Sequence, residues 1–266
     1  MELARPLVVG VVNVTPDSFS DGGRFLDPKA AIDRGNALIQ EGADILDIGA
    51  ESSRPGARGV SAGEELSRLM PVLEGLHDCA VPISVDTVKP EVMRAAIAAG
   101  ASMINDITAL RSPGALEAVA ESDVGVCLMH LQGEPRTMQL KPSYRDVVAE
   151  VGAFLSARVA AAESAGIARE RVVVDPGFGF GKTVEHNFEL LRHLDLIAAL
   201  GLPVMVGWSR KSTLGAITGR AAGDRLAASL AAALLAVQRG ARIVRVHDVA
   251  ATRDALEVLA AVWEKN

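Results

Sequence analysis

Aromatic residues are scarce in this chain of 266 residues: Phe, Trp and Tyr make up 3% of it, although hydrophobic residues as a whole make up 49%. The core must therefore be built from Val, Ile, Leu and Ala. This mixture is typical of parallel strands whose faces are covered by helices.

Cysteine is nearly absent, and long apolar runs are missing altogether. Cys79 and Cys127 are the only two cysteines, and their spacing indicates neither a metal site nor a disulfide framework. We expect both to be reduced core thiols of a cytoplasmic protein. No stretch approaches the roughly 20 apolar residues of a membrane span, and the first ten residues lack the apolar region of a signal peptide. The sequence therefore predicts no membrane partner.

An excess of basic residues is also missing, since the formal net charge is -6. This balance argues against a general nucleic-acid or acidic-membrane surface. An anionic ligand would have to be bound by a local cluster of cations.

Short apolar runs alternate with longer helical patterns from end to end, and no linker interrupts them. This order predicts the α/β class, specifically a single-domain (β/α)8 TIM barrel over residues 1–266, with eight parallel strands surrounded by helices; about 250 residues is typical of that fold. The strands are predicted near Leu7–Val12, Ile45–Ile48, Ile83–Val85, Met103–Ile104, Gly125–Met129, Val172–Val174, Val204–Val206 and Ile243–Val246.

Several helix boundaries can be predicted from capping residues. Asp27 followed by Pro28 is typical of a helix start, and the segment SAGE, Ser61 to Glu64, predicts a capping box. The long Ala-rich run from Ala221 to Arg239 predicts the clearest helix of the chain.

A weak internal repeat indicates how the strands are used. Three predicted helices end in Gly-Ala and lead directly into the strand segments GADILD, GASMIN and GARIVR, and Gly suits the left-handed residue that ends a helix. The fifth residue after each glycine is polar, namely Asp47, Asn105 and Arg245. Because strand side chains alternate, each shares a face with an apolar residue two positions earlier: Ile45, Met103 and Ile243. This face is therefore apolar low in the strand and polar at its exit.

Polar residues also follow four other strands: Asn13, Asp86, His130 and Asp175. In a (β/α) barrel the carboxyl ends of the strands form the active site, so we expect these side chains to converge on one mouth. The acceptors Asp86, Asn105 and Asp175 would bind a flat polar heterocycle, whereas Arg54, Lys211, Arg245 and His247 would supply positive charge for an anionic group.

The segment DPGFGFGKT, Asp175 to Thr183, is similar to a nucleotide-binding loop but fails its spacing. Gly177 and Gly181 enclose three residues, whereas a P-loop needs four. We interpret Lys182 as a basic residue of a glycine-rich loop between a strand and a helix.

Eight segments in order along the chain resemble the dihydropteroate synthase family: NVTPDSFSDGG, ESSRPGA, SVDTVKPEV, INDI, LMHLQGEPRTMQ, DPGFGFGKT, GWSRKS and RVHDV. The resemblance runs from the first strand to the last. It implies a (β/α)8 barrel that joins 4-aminobenzoate to the diphosphate ester of 6-hydroxymethyl-7,8-dihydropterin and releases pyrophosphate and 7,8-dihydropteroate. It also implies a homodimer and a requirement for Mg²⁺.

The resemblance further implies roles for particular residues. The pterin would be held by Asp86, Asn105, Met129, Asp175 and Lys211. The diphosphate would be held by Asn13, Arg54, Arg245 and His247, with Asn13 also binding Mg²⁺. The 4-aminobenzoate side, where sulfonamides compete in this family, would be formed by Ser53, Arg54, Pro55, Phe180, Lys211 and Ser212. The two polar loops NVTPDSFSDGG and ESSRPGARG would act as lids that keep water from the reaction.

Two differences from the family motif and two alternative functions stay open at this point. Where the family usually has Gly and Thr, this chain has Ala50 and Ser53, and Ser lacks the methyl group that stiffens the Thr rotamer. Substrate contact should survive, but affinity for 4-aminobenzoate or sulfonamide is not fixed by the sequence. The alternatives are a pterin-dependent methyltransferase with a corrinoid partner and a non-catalytic pterin-binding paralogue.

Overall fold

Eight parallel strands close into a barrel in a computed structural model of the chain, which describes residues 5–15, 27–52 and 59–263. The strands pair in chain order, and the last pairs with the first. The predicted fold class is confirmed, with every strand within two residues of its expected bounds. The strands are β1 (Leu7–Asn13), β2 (Ile45–Gly49), β3 (Ile83–Asp86), β4 (Met103–Asp106), β5 (Gly125–Met129), β6 (Val172–Asp175), β7 (Val204–Val206) and β8 (Ala241–Val246).

Helices connect successive strands and cover the outside of the barrel. They are α1 (Pro28–Gln40), α2 (Ala62–Gly75), α3 (Pro90–Ala98), α4 (Ala115–Ala120), α5 (Val147–Ser164), α6 (Val184–Arg192), α7 (Leu194–Ala198), α8 (Ser212–Thr218), α9 (Leu226–Gln238) and α10 (Val249–Trp263). Among the described residues, no helix is both long and apolar enough to cross a bilayer.

The predicted helix ends are largely where the sequence places them. Asp27 caps α1 by accepting a hydrogen bond from the backbone N–H of Lys29 at 2.9 Å. Each glycine of the Gly-Ala repeat has a φ near +100°: +95° at Gly42 and Gly100 and +101° at Gly240. Glycine adopts this conformation without the steric cost that a Cβ would bring, so the chain turns directly from helix into strand.

Two helix predictions were wrong in detail. The Ser61 hydroxyl accepts from the Glu64 N–H at 3.2 Å, but the Glu64 side chain pairs with Arg68 instead of returning to the cap, so the box is half formed. The predicted helix from Ala221 starts only at Leu226, after a short 3₁₀ turn at Ala222–Asp224. Gly223 lies in that turn, and glycine weakens a helix there.

Alternating strand side chains form two separate cores. The outer core lies between strands and helices and includes Val8, Leu46 and Val85. Inside the barrel, an apolar floor consists of the buried side chains Val9, Cys127, Met205 and Ile243, with Ile45 and Met103 packed against it. The predicted apolar face of Ile45, Met103 and Ile243 is therefore the inside of the barrel. Both cysteines are free thiols: Cys127 is buried, whereas Cys79 is half-buried.

Candidate functional site

Arg245 links two carboxylates directly above the apolar floor. Its Nε donates to Asp47 at 2.5 Å and its NH2 donates to Asp86 at 2.9 Å. Asp47 is 1% exposed and also accepts from the Ser84 hydroxyl at 2.6 Å and from Asn105 Nδ2 at 3.1 Å. Side chains from β2, β3, β4 and β8 thus meet in one buried hydrogen-bonded group.

Burial and charge act in opposite directions on this group. Burial raises the pKa of Asp86 to about 7, even though the neighbouring Arg245 opposes that rise. For Arg245, burial lowers the pKa, but Asp47 and Asp86 outweigh it and hold the pKa above its ordinary value. Arg245 is therefore a permanent cation, while Asp86 titrates close to neutral pH.

A second acid, Asp175, lies at the end of β6, and a base, Lys211, lies between β7 and α8. Asp175 is 4% exposed and accepts from the Gly177 N–H at 2.7 Å. Burial raises the pKa of Asp175 to about 6, against that hydrogen bond and the charge of Lys211. Burial lowers the pKa of Lys211 to about 8, with Asp175 as the main opposing influence. We refer to Asp47, Asp86, Asp175, Lys211 and Arg245 as the charged mouth.

The glycine-rich loop after β6 forms the wall beside Lys211. The Nζ of Lys211 lies 4.1 Å from the centre of the half-buried Phe180 ring, which is cation–π contact. A Cβ on Gly179 would lie 3.2 Å from Lys211 Cδ, so the loop leaves space for that lysine. Phe180 and Lys211, both predicted on the aminobenzoate side, are therefore in direct contact.

Lys182 and His130 do not join the mouth, although His130 was expected there. Lys182 is 3% exposed, and its Nζ lies 2.8 Å from His130 Nδ1, 2.9 Å from the Gly177 carbonyl and 3.0 Å from the Phe180 carbonyl. His130 packs edge-on against Phe154 of α5. It follows β5 at the position that faces outward, because inward residues alternate. Lys182 thus stabilises the conformation of the glycine-rich loop by donating to its carbonyl groups.

His247 directly follows β8, and it does not carry the positive charge that was predicted from the sequence. Burial, together with Arg245, lowers the pKa of His247 to about 4. The imidazole is neutral near pH 7 in this site, so the predicted positive charge at His247 is not present there. The charge available for an anion in the described residues comes instead from Arg245 and Lys211.

The remaining predicted residues fall into two groups. Met129 is buried beside Asp175 across the β5–β6 pair, and Ser212 is the exposed first residue of α8. Ser53, Arg54 and Pro55 lie outside the described residues, as do residues 16–23 of the first lid. Their predicted roles stay predictions.

Asn13 ends β1 on the same side of the barrel as the charged mouth. It pairs in register with Gly49, which in turn pairs with Asp86. Gly49 has no side chain to separate Asn13 from Asp86. Among residues 5–15, 27–52 and 59–263, no group of three or more His, Cys, Asp or Glu side chains could hold a metal ion.

Asp47 is the residue that the sequence reasoning did not assign to the site. Its polarity and its place on the inward face of β2 were visible in the repeat that also gave Asn105 and Arg245. Its function as their common partner was not visible, because the contacts join strands that are 58 and 198 positions apart in sequence.

Comparison with known proteins decides the family. A family model described as "Pterin binding enzyme" matches residues 9–247. A dihydropteroate synthase of Neisseria meningitidis serogroup B is 52% identical over 269 residues, which cover 98% of this chain and 93% of that relative. The chain belongs to the dihydropteroate synthase family of pterin-binding enzymes.

Solved structures agree with that membership. A Xanthomonas albilineans dihydropteroate synthase with 4-aminobenzoic acid has 56% sequence identity and a TM-score of 0.94, with 99% of this chain and 95% of that chain covered. The enzyme of the same organism in complex with 7,8-dihydropteroate has 53% identity and a TM-score of 0.90, with 100% and 97% covered. Substrate and product complexes of this kind thus exist on closely similar barrels.

Proposed function

We propose that this chain joins (7,8-dihydropterin-6-yl)methyl diphosphate to 4-aminobenzoate, giving 7,8-dihydropteroate and pyrophosphate. The observation that carries the proposal is the contact of Arg245 with Asp47 and Asp86, beside Asp175 and Lys211. This arrangement combines acceptors for a flat N–H-rich ring with a cation for its leaving group. Membership of the family supports the reaction, and the charged mouth supports the assignment of the residues.

The pterin would lie against the acids of the charged mouth. A carboxylate accepts paired N–H bonds from a ring of the guanidine type, and Asp86 and Asp175 are placed for this. Asn105 donates its Nδ2–H to Asp47, so its amide oxygen remains to accept from the ring. Met129 and Lys211 would complete this pocket.

The reaction would proceed by loss of the diphosphate ahead of attack by the amine. The C–O bond at the pterin methylene breaks, its electrons leave with the diphosphate, and the arylamine then forms the new C–N bond and loses a proton. Asp86 and Asp175 favour the developing ring cation more than the neutral ester, which is the differential stabilisation that a catalyst needs. Arg245, with Arg54 and an N–H of His247, would bind the departing diphosphate.

We further propose that Asn13 holds Mg²⁺. The amide oxygen of Asn13 suits this hard ion, which commonly keeps several waters and takes one or two protein ligands together with phosphate oxygens. When bound, the ion would neutralise charge on the diphosphate. Asn13 itself would orient that group above Gly49.

The 4-aminobenzoate would bind beside Phe180, Lys211 and Ser212, with Ser53, Arg54 and Pro55 closing the other side. The lids would order over the bound diphosphate and exclude water. Deleting residues 18–22 should then leave pterin binding largely intact while turnover collapses. Loss of pterin binding as well would point to a role of that segment in folding.

The deciding experiment supplies the pterin diphosphate, 4-aminobenzoate and Mg²⁺ and measures pyrophosphate. Release that needs all three supports the proposal. A non-catalytic paralogue would bind the pterin without release. A corrinoid-linked methyltransferase would instead demethylate a methylated folate, and that activity would overturn the proposal.

We also propose that the protein is a cytoplasmic homodimer and that residues 1–266 form one domain. Of the seven large hydrophobic side chains that are exposed among the described residues, five lie on the neighbouring helices α8, α9 and α10, and such clustering is typical of an interface. Sedimentation should give a dimer that Leu235→Glu on α9 dissociates, whereas Leu196→Glu on α7 should not. A monomeric wild type would reject the dimer.

A further inference from the structure

Ser209 contacts His247 twice, from the loop that connects β7 to α8. Its Oγ lies 2.9 Å from the ring nitrogen Nδ1, and the backbone N–H of His247 donates to the same Oγ at 3.2 Å. Ser209 is 8% exposed. One hydroxyl therefore fixes both the main chain and the ring of the histidine.

These two contacts favour one position for the ring proton. A serine hydroxyl has a single hydrogen to donate and two lone pairs with which to accept. The backbone N–H takes one lone pair. Among the residues that the structure describes, Nδ1 is the acceptor within reach of the hydroxyl hydrogen. Were Nδ1 the donor, the buried hydroxyl hydrogen would have no acceptor among the described residues, which costs free energy. A nitrogen that accepts carries no proton, so donation by the hydroxyl places the proton of the neutral ring on Nε2.

Neighbouring contacts hold the pair in place. Arg34 donates to the His247 carbonyl at 2.8 Å, and Arg210 pairs with Asp248 at 2.6 Å. Arg210 has a φ of +60°, a conformation that persists in a non-glycine residue only when its surroundings enforce it. Arg210 and Asp248, which directly follow Ser209 and His247, thus join the same two segments by an ion pair.

We propose that Ser209 is a positioning residue that holds His247 as the Nε2–H tautomer, so that His247 presents an N–H donor to the departing diphosphate. The structure describes no hydrogen bond at Nε2 within residues 5–15, 27–52 and 59–263, so this nitrogen is available to a ligand. The identity of that ligand rests on the proposed function, whereas the tautomer does not. The low pKa of His247, to about 4 through burial and Arg245, agrees with a neutral donor.

The test reads the tautomer directly, by ring ¹⁵N NMR of the full chain, with the His247 signal assigned by its loss in His247→Gln. Wild type at pH 7 should show Nε2–H. Ser209→Ala should give a mixture of tautomers and raise KM for the pterin diphosphate in proportion to the lost fraction of the Nε2–H form, roughly twofold for an equal mixture. Ser209→Thr, which keeps the hydroxyl, should restore the tautomer.

Ser229→Ala is the matched control. Ser229 is also buried, accepts from the Arg210 N–H at 3.0 Å and donates to the Arg225 carbonyl at 2.7 Å, so it supports the same loop without contact to His247. This variant should lower stability while the His247 signal stays unchanged. Binding of the pterin alcohol, which lacks the diphosphate, should be unaffected in Ser209→Ala.

Three outcomes would overturn the inference: an Nδ1–H ring in the wild type, an unchanged tautomer in Ser209→Ala, or an equal change in Ser229→Ala. Should Ser209→Ala not fold, the wild-type and Ser209→Thr spectra still decide. Absence of pyrophosphate release from the wild type would reject the proposed function and leave the tautomer result standing.

Discussion

The apolar floor and the charged mouth are successive layers inside one barrel, and on β2 and β8 they use alternate residues of the same strand. Ile243 and Arg245 differ by two positions on β8, and both side chains point into the barrel; the first packs against Val9 and Met205, the second binds Asp47 and Asp86. Val9 pairs in register with both Ile45 and Arg245, so the two layers are adjacent.

Burial has different consequences in the two layers. In the floor, burial of apolar surface stabilises the fold directly. In the mouth, the same burial disfavours charge and shifts the pKa values of Asp86, Asp175 and Lys211 toward neutrality. Even Cys127 of the floor has its pKa raised, chiefly by burial and then by Asp175 and Asp47 above it. Substitutions in the floor are therefore expected to change stability with little effect on activity, whereas substitutions in the mouth change activity, and also stability where they leave a buried charge without its counter-charge.

The largest expected effect comes from Arg245→Ala, which breaks both contacts of the mouth. Asp47 would be left as a buried, unpaired carboxylate, so the free energy of unfolding should fall by about 3–5 kcal/mol, and activity should be lost. Urea denaturation and pyrophosphate release measure the two effects. Arg242→Ala, an exposed arginine on the same strand, is the control. Adding Asp47→Asn should recover stability without activity; failure to recover would show that the pairing is not the cause.

Asp175→Asn should affect activity alone. The amide oxygen can still accept from the Gly177 N–H, but the negative charge is gone, so kcat/KM should fall roughly 10²–10³-fold. Stability should hold or rise, because the folded pKa of about 6 lies above the unfolded value of 3.8, so ionised Asp175 opposes folding near pH 7. Asp195→Asn, on the surface of α7, is the control. A drop in melting temperature as large as the drop in activity would contradict this separation.

Ile243→Ala, in the floor, should lower stability with little effect on activity, which is the reverse of the effect expected for Asp175→Asn. Removing the buried side chain leaves a cavity and should lower the free energy of unfolding by about 2–5 kcal/mol, with kcat/KM of the folded protein within about threefold of wild type. Leu196→Ala, at an exposed site on α7 outside the proposed interface, should change stability by less than about 0.5 kcal/mol. A large loss of activity in Ile243→Ala would mean that the floor also shapes the mouth.

The smallest expected effect is a gradual dependence of activity on pH. Below their pKa values of about 7 and about 6, Asp86 and Asp175 are protonated and cannot balance a ring cation. The pH profile of kcat/KM for the pterin diphosphate should therefore rise from about pH 5 and fall again above about pH 8, where Lys211, with a pKa of about 8, loses its proton. Asp175→Asn should make the acid limb less steep by one proton. An unchanged acid limb in that variant would remove Asp175 from the titration.

The Gly-Ala repeat explains why so much could be predicted from the sequence. Its glycines fix where each helix ends, and strand alternation then places Asp47, Asn105 and Arg245 on the inward face. The position of His130 could not be predicted in the same way, because one residue of difference at a strand end turns a side chain from the mouth to the outer core. Its partner Lys182 reaches it only through the folded glycine-rich loop.

The sequence by itself determined the barrel, its strand positions, its family and the residues at the strand exits, because these depend on local periodicity and on ordered motifs. The tertiary structure alone decided which groups pair: Arg245 with Asp47 and Asp86, Lys182 with His130 and backbone carbonyls, and Ser209 with a neutral His247. The physical reason is that burial and the approach of charges set the ionisation of a group, and both arise only when distant strands close into one barrel.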